Sequence, residues 1–249
     1  MTKRNEISIY NQSQVQSDGE IPEWDDVIFP QIIRKKIIEK VTFIIEYQKP
    51  NLTLDYGCGG GWISNLISNK GFDVVGFDIS HGIISKARES TKGNFLVCDA
   101  EYLPFKQRSF DLIIGISVLH HLNNLQKGIY EIYMILRDKG HLFFEEPNLL
   151  NPFSAFGRRF FPMETHTENE KPLNGIYTKY LFQKHNIICD KIIYLYFISF
   201  PLSRFLRLAK IRFPSFLIKP YNYLELFFEG LPIIKNTNAS FIINGNKLE

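Results

Sequence analysis

Residues 54–61 read LDYGCGGG, and Trp62 follows them directly. Four of the five positions from Gly57 to Gly61 are glycine, although a glycine loses more conformational freedom on folding than any other residue does. A tight turn from a strand into a helix needs only one glycine. The other three indicate that a second molecule passes close to this backbone, because the first strand-to-helix turn of an open α/β sheet is where nucleotides bind.

The segments on both sides of this loop alternate between strands and helices. Short apolar runs predict strands over 52–56, 73–78, 94–98, 110–117 and 141–146. Helical spacing of apolar residues, helped by capping residues, predicts helices over 26–47, 62–70, 80–89 and 123–137. Alternation of this kind predicts a doubly wound α/β fold, with a parallel sheet covered by helices on both faces.

The alternation loosens after Pro147, and this change divides the chain. We predict a flexible N-terminal arm over 1–25, a nucleotide-binding Rossmann-like core over 26–148, and an acceptor-side lid or insertion over 149–249. The last segment also holds the final helices and strands of the same domain. Its predicted elements are a long connection over 148–174, a helix over 176–185, a strand over 187–197 and a final strand over 239–243.

Charge and cysteine usage argue against several classes of protein. The net charge is +3 at pH 7, whereas a dedicated nucleic-acid binder carries a strong basic excess on one face. The three cysteines, Cys58, Cys98 and Cys189, have no short repeated spacing, so they indicate neither a disulfide framework nor a zinc site. His166 and Glu168 alone fall short of a ligand set, and we expect no metal.

Apolar runs in the chain are short. No apolar run follows the basic residues at the N-terminus, so no secretory signal is expected. The longest apolar run covers 192–202 and is shorter than the roughly 18 residues that indicate a membrane span. We therefore expect a cytoplasmic protein.

Two phosphate-binding fingerprints fit the loop poorly. The dinucleotide pattern G-x-G-x-x-G, counted from Gly57, requires a glycine at the position of Trp62, where a bulky indole does not suit close packing of helix on strand. A Walker loop needs a Gly-Lys-Ser/Thr ending, which is absent. A nucleotide-dependent oxidoreductase stays open as the weaker alternative.

Four motifs, in order, carry a family resemblance. They are Asp55 followed by G-x-G-x-G, Asp78 followed by ISHGIISKAR, the segment CDAEYLPF with SFD after it, and SVLHHL. Over 52–148 the chain resembles the class I S-adenosylmethionine-dependent methyltransferases. The resemblance implies a seven-stranded, mostly parallel sheet with an antiparallel last strand, and S-adenosylmethionine as the cofactor. It also implies that the N-terminal helix and arm cover the cofactor.

The resemblance assigns the glycine loop to the cofactor. Gly57, Gly59 and Gly61 would let the backbone approach the methionine and ribose portions, and Cys58 lies among them. Asp55 would orient the loop or meet the amino group of the methionine part.

The resemblance also assigns residues at the ends of the later strands. Asp78 would accept hydrogen bonds from both ribose hydroxyls, which suits a carboxylate. Ile79 would lie against the adenine, Asp99 would accept from the adenine amino group, and Ala100 would supply a backbone contact. Ser117, at the end of the predicted fourth strand, completes the predicted cofactor site.

Candidates for the acceptor side follow the fourth and fifth strands. His120 and His121 are predicted catalytic residues, one acting as a base or as a ligand of the acceptor. The alternative, which we favour for both histidines and more for His120 than for His121, is that the pair caps and packs the following loop. Glu145 and Glu146 end the fifth strand, and we expect one to face the pocket and the other to face solvent.

The C-terminal third is rich in aromatic and basic residues over 201–236. A helix over 204–213 would place its apolar and basic residues on opposite sides, which suits peripheral contact with a membrane through 201–220. Packing of this helix on the sheet or on a second subunit is the alternative, and nucleic-acid binding is weaker. We predict methyl transfer to a small-molecule or lipid-like acceptor; the alternative is a cofactor-binding regulatory module without turnover.

Overall fold

The computed structural model describes residues 34–160, 171–199, 213–232 and 234–249, together with residues 202, 205, 206, 209 and 211. The predicted N-terminal arm, the start of the predicted helix 26–47, and His166 to Glu168 lie outside the described residues. Much of the predicted helix 204–213 also lies outside them.

One mixed sheet forms the centre of the described structure. Its strands are β1 (Thr53–Tyr56), β2 (Val74–Asp78), β3 (Asn94–Val97), β4 (Phe110–Ile116), β5 (Leu136–Pro147), β6 (Ile187–Cys189), β7 (Ile193–Leu195) and β8 (Ser240–Lys247). Their order is β3-β2-β1-β4-β5-β8-β6, and β7 also pairs with β8. Strands β1 to β5 pair in parallel, and β8 runs antiparallel to its neighbours. This order confirms the predicted doubly wound, mostly parallel sheet.

The edge of the sheet next to β8 is divided between two short strands. Ile187 pairs with Lys247, and Ile193 pairs with Ile242 further along β8. The sequence predicted one strand over 187–197. The expected seven strand positions are therefore present, but the outermost one is broken into β6 and β7.

Helices cover both faces of this sheet. They are α1 (Lys35–Gln48), α2 (Trp62–Asn69), α3 (His81–Ser90), α4 (Leu125–Ile135), α5 (Pro152–Phe160), α6 (Gly175–Lys184) and α7 (Ile218–Gly230). Helices α1 and α2 bury one face through Ile37, Val41, Ile45, Ile63, Ile67, Leu112, Ile114 and Phe143. Helices α4 and α6 bury the other through Ile113, Ile129, Ile132, Phe144, Leu181, Phe182 and Phe241. Neighbouring residues of β4 thus point to opposite faces, as in any strand.

The strand order fixes where a ligand can bind. Strand β1 lies between β2 and β4. The sheet is built outward from β1 in one direction through β2 and β3 and in the other through β4 and β5, so the strand order reverses at β1. Ligands of open α/β sheets bind at this switch point, beyond the carboxyl ends of the strands. The glycine loop, Asp78, Ser117 and Glu146 all lie at these ends. The predicted division into arm, core and acceptor-side segment stays a prediction, although β6, β7 and β8 belong to the same sheet as β1 to β5.

Candidate cofactor and acceptor site

The glycine loop joins β1 to α2 in a left-handed conformation. Gly57, Gly59 and Gly61 have φ angles of 68°, 50° and 81°, which residues with a Cβ adopt only at a cost. The N–H of Cys58 donates to the carbonyl of Phe77 at 2.7 Å, which holds the loop against β2. Backbone geometry therefore requires glycine at three of these positions.

The space around each glycine shows whether it is needed for packing within the protein or faces the open side of the loop. A Cβ on Gly57 would lie 2.3 Å from Cγ2 of Val118, and one on Gly61 would lie 3.2 Å from the Cβ of Ala87. A Cβ on Gly59 or Gly60 would meet nothing within 4 Å. Gly57 and Gly61 thus allow close packing within the protein, and the open side of the loop at Gly59 and Gly60 leaves room for the predicted sulfonium nucleoside.

Cys58 turns its side chain away from that open side. Its thiol lies in a buried cluster with Ile84, Ala87 and Phe95, and burial raises the pKa of the thiol far above its ordinary value. Cys58 can therefore contact a ligand through its backbone and not through its thiol.

Asp55 ties the first strand to the helix that follows the loop. Its Oδ2 accepts hydrogen bonds from the hydroxyl of Ser64 at 2.6 Å and from the N–H of Ser64 at 2.9 Å. Burial raises the pKa of Asp55 to about 7 despite these bonds. Of the two predicted roles for this residue, the contacts favour orienting the loop.

Asp78 connects the end of β2 to the glycine loop. One carboxylate oxygen accepts from the N–H of Gly59 at 3.1 Å, and the other accepts from the N–H of Ser80 at 3.0 Å. Burial raises the pKa of Asp78, and the backbone N–H donors and the charge of His121 oppose this shift. Ile79, the next residue, is half-buried.

The loop after β3 is held from two sides. Oδ1 of Asp99 accepts from the N–H of Glu101 at 2.9 Å, and the carbonyl of Ala100 accepts from the Tyr56 hydroxyl at 3.0 Å. Buried Glu101 accepts from the N–H groups of Asn123 and Asn124 at the start of α4. Glu101 was not predicted as a site residue, because its only signal in the sequence is an acid two residues after Asp99.

Ser117 links the exposed end of β4 to a buried glutamate. It is itself exposed and left-handed, with φ 53°, and its hydroxyl donates to Oε2 of Glu145 at 3.2 Å. Glu145 is 1% exposed, and its Oε1 makes no hydrogen bond to the described residues. Burial and the neighbouring charge of Glu146 raise the pKa of Glu145 to about 7.

Glu146 holds the turn that carries both histidines. Its Oε1 accepts from the N–H groups of Val118 and Leu119 at 2.9 and 2.7 Å. Its Oε2 lies 2.8 Å from Nδ1 of His120 and also accepts from the N–H of that residue at 3.3 Å. Glu146 is fully buried, so the expectation that one of the paired glutamates faces solvent is wrong. Four donors at the end of β4 explain the burial.

The two histidines have different surroundings. His120 is fixed by Glu146 and lines an open cavity of about 230 Å³ between the 119–121 turn and Leu173. The His121 ring lies 4.0 Å from that of His120, centroid to centroid, and its charge acts on Asp78. The structure therefore brings His121 toward the predicted cofactor side and gives His120 a structural partner.

Two asparagines after β5 are structural. Asn148 and Asn151 are fully buried. The side chain of Asn148 donates to the carbonyls of Asn236 and Asn238, and that of Asn151 donates to the carbonyl of Thr237. They attach the start of the predicted lid to the segment before β8.

Comparisons with known proteins agree with this arrangement. The family model of the methyltransferase domain matches residues 54–144. An uncharacterised protein of Methanocaldococcus jannaschii is 34% identical over 129 residues, which are 48% of this chain and 55% of that protein. The 18S rRNA (guanine-N(7))-methyltransferase bud23 of Schizosaccharomyces pombe is 35% identical over 100 residues, or 39% of this chain and 37% of that protein.

A third relative and a protein of known structure are also similar to this chain. The ubiquinone biosynthesis O-methyltransferase of Coxiella burnetii is 30% identical over 121 residues, which are 47% of this chain and 50% of that protein. The chain thus spans about half or less of the length of these relatives. A crystal structure of an S-adenosylmethionine-dependent methyltransferase from Archaeoglobus fulgidus has a TM-score of 0.61 at 19% identity, covering 86% of this chain and 94% of that one.

The matched family covers the glycine loop and the strand ends at Asp78 and Ser117, and the solved structure shares the fold. The protein of known structure depends on S-adenosylmethionine, and in this chain the open side of the loop at Gly59 and Gly60 leaves space for a ligand. Residues 54–144 match the family of methyltransferase domains, and the chain shares its fold with an S-adenosylmethionine-dependent member of known structure.

Proposed function

We propose that this protein transfers a methyl group from S-adenosylmethionine to a small-molecule or lipid-like acceptor. The hydrogen bond between Gly59 and Asp78 carries the proposal, because it holds a carboxylate beside an open left-handed loop at the switch point of the sheet. When bound, the cofactor supplies a methyl group already activated by a positive sulfur. The protein then has to hold the acceptor in line with that group and exclude water.

The remaining roles follow from the positions of the side chains. Asp78 would accept from the ribose hydroxyls, because a carboxylate has about four acceptor positions and the backbone N–H groups of Gly59, Ser80 and Ile79 leave one of them open. Ile79, Asp99 and Ala100 would contact the adenine from the two neighbouring strand ends. Ser117 would bound the methyl-donating end, since it is exposed where β4 ends.

Proton transfer, where the acceptor requires it, is assigned to His121. The charge of this ring lowers the pKa of Asp78 at the predicted cofactor side, while the His120 ring is bonded to Glu146. His120 is then a positioning residue. The pH–rate profiles of His121→Ala and His120→Ala test the assignment: the profile should change its shape only for His121→Ala, and an altered shape for His120→Ala alone would contradict it.

The acceptor class rests on charge and on exposed apolar surface. One relative acts on rRNA and another in ubiquinone biosynthesis, so the family alone does not select a class. The small net charge of +3 disfavours a nucleic-acid acceptor. Exposed aromatic residues in the C-terminal third, among them Phe216 and Tyr223, favour a lipid-like one. We place the protein in the cytoplasm, with peripheral contact to a membrane.

A cofactor assay with acceptor fractions tests this function. Labelled S-adenosylmethionine is incubated with the protein and with separate lipid and soluble fractions of a lysate, and S-adenosylhomocysteine is measured. Label in the lipid or small-molecule fraction is expected. Tight cofactor binding without product in any fraction would instead support the regulatory module, and binding of nicotinamide cofactors in a thermal-shift panel would support an oxidoreductase.

A further inference from the structure

Helix α7 carries its acidic residues on its inner side. Tyr221, Glu225 and Glu229 are spaced four residues apart and therefore share one face of the helix. Tyr221 and Glu225 are 8% and 1% exposed. A surface helix ordinarily buries an apolar stripe and exposes its charges, so α7 has the opposite polarity.

Backbone donors explain why the acids face inward. Glu225 accepts hydrogen bonds from the N–H groups of Ile198 and Ser199 at 3.1 Å each, and from the Tyr221 hydroxyl at 2.9 Å. Glu229 accepts from the N–H of Tyr196 at 2.8 Å and pairs with Lys36 at 2.7 Å. Helix α7 is therefore attached to the segment 196–199 and to α1 through these polar contacts, together with the Phe228 ring, which stacks on Phe197, and Tyr221, which packs beside Ile198.

The outer face of α7 and of the turn before it is apolar. We define this outer face by its exposed residues, Phe216, Leu217, Tyr223, Leu224, Leu226 and Phe227. Phe216 is 77% exposed, Tyr223 75% and Phe227 60%. Exposed aromatic side chains grouped in this way mark a surface that another molecule covers.

The sequence around the outer face has one sign of charge. From Asp190 to Glu225 no acidic residue intervenes. The basic residues of this stretch are Lys191, Arg204, Arg207, Lys210, Arg212 and Lys219. A stretch of sequence that combines these basic residues with Phe, Tyr and Leu complements an anionic lipid surface, where aromatic rings enter the headgroup region and the cations stay with the phosphates.

The segment that holds α7 leaves the sheet on the acceptor side, beyond the carboxyl end of β5. Leu195, the last residue of β7, pairs with Ser240, and Ser240 pairs with Pro147 at the end of β5. The segment 196–199 that holds α7 therefore leaves the sheet at the edge where β5 ends. No helix among the described residues is long and apolar enough to cross a bilayer, so contact through these residues would be at the membrane surface.

We propose that the outer face of α7 docks on an anionic lipid bilayer and so brings the acceptor edge of the sheet to a membrane-borne acceptor. The docking proposal is supported by the inverted polarity of α7 and by the positive charge of the sequence 191–219. Only its purpose rests on the proposed methyl transfer.

Vesicle sedimentation with the full chain tests the docking. The probes are vesicles of phosphatidylcholine alone and of equimolar phosphatidylcholine and phosphatidylglycerol. The double variant Tyr223→Ser/Phe227→Ser removes two exposed rings from the outer face. Phe43→Ser/Tyr47→Ser is the matched control, because these rings are 67% and 73% exposed on α1. Tyr47 lies near the end of that helix, which leads into the start of β1 and so to the amino ends of the parallel strands, away from the acceptor side.

Wild type and control should bind the anionic vesicles, more weakly at high salt. The Tyr223/Phe227 variant should lose about tenfold to a hundredfold in vesicle partitioning. Equal binding of wild type and this variant would overturn the proposal, as would binding of wild type to RNA but not to vesicles. A dimer that dissociates only in this variant, without vesicle binding, would overturn it in favour of a subunit interface. Calorimetry with S-adenosylmethionine on the same samples reports separately on the proposed function.

Discussion

The backbone N–H of Gly59 donates a 3.1 Å hydrogen bond to the carboxylate of Asp78, across the gap between the first loop and the end of the second strand. The second carboxylate oxygen accepts from the N–H of Ser80. The backbone N–H of Ile79 also acts on this carboxylate, and of about four acceptor positions three backbone donors leave one open. Asp78 thus shapes the loop and also remains able to bind hydroxyl groups of a ligand.

Replacing Asp78 with alanine should weaken binding of S-adenosylmethionine by about tenfold or more, which is about 1.4 kcal/mol or more of binding free energy. Loss of the acceptor for Gly59 and Ser80 should also lower the free energy of unfolding by about 1–3 kcal/mol. Titration calorimetry and urea unfolding measure the two effects. Asp73→Ala is the control, because Asp73 is exposed just before the start of the same strand. Unchanged cofactor affinity in Asp78→Ala would remove this residue from the site.

Gly59→Ala and Gly71→Ala should separate cofactor binding from backbone strain. Both glycines have positive φ, 50° and 84°, and a Cβ on either meets nothing within 4 Å. Each substitution should therefore cost about 1–2 kcal/mol of folding free energy through the left-handed conformation alone. Only Gly59 lies on the open side of the glycine loop, so only Gly59→Ala should weaken cofactor binding in calorimetry. Equal affinities for the two variants would place the cofactor elsewhere.

Local patterns were sufficient to predict the core of the fold. Ser80 was predicted to cap a helix, and its hydroxyl accepts from the N–H of Ile83 at the start of α3. The continuous apolar run of 110–117 became β4, which is buried on both faces because helices cover both sides of the sheet. These features depend on neighbours in sequence or on strand pairing, which the alternation of elements already implied.

Features that depend on distant backbone groups could not be predicted. Glu146 is buried because N–H groups at 118–120 point at it, and Glu225 is buried because those at 198 and 199 do. A carboxylate in a sequence pattern reads as solvent-exposed unless its donors are known. The inverted polarity of α7 could not be predicted for the same reason. Nor could the separate roles of the four loop glycines, which depend on side chains distant in sequence, Val118 at Gly57 and Ala87, Thr91 and Phe95 at Gly61.

Stability should fall as the pH rises from about 5 to about 7. Asp55 and Glu145 have pKa values raised to about 7 in the folded protein, against ordinary values near 4 for unfolded carboxyls. Between these values the unfolded chain has released protons that the folded chain still binds. Each group therefore lowers the free energy of unfolding by about 1.4 kcal/mol per pH unit in this window.

Urea unfolding at pH 5.5 and at pH 7.5 measures this dependence. Glu145→Gln should remove the share that comes from Glu145, so its stability should vary less with pH than that of wild type. Glu89→Gln, a change at an exposed residue of α3, should leave the dependence as it is. A wild type that becomes steadily more stable from pH 5.5 to 7.5, with Glu145→Gln behaving identically, would contradict the raised pKa values.

The adjacent glutamates of β5 should respond oppositely to the same substitution. Glu146→Gln places an amide NH₂ opposite donors that the carboxylate now satisfies, and it should cost about 1–3 kcal/mol of folding free energy. Glu145 accepts from the Ser117 hydroxyl, and the Ser240 hydroxyl also lowers its pKa, but no donor among the described residues reaches its buried Oε1 with hydrogen-bond geometry. Glu145→Gln at pH 8 removes a poorly solvated charge and should be neutral or stabilising.

Thermal and urea unfolding of the two single variants at pH 8 decide between these expectations. Loss of the Glu146 contacts should also loosen the turn of residues 118–121, which hydrogen exchange at those amides reports. His120→Ala should reproduce only part of this loosening, because three backbone donors to Glu146 remain. If Glu145→Gln proved as destabilising as Glu146→Gln, Glu145 would be held by bonds as strong as those of Glu146, and the distinction drawn between the two carboxylates would be wrong.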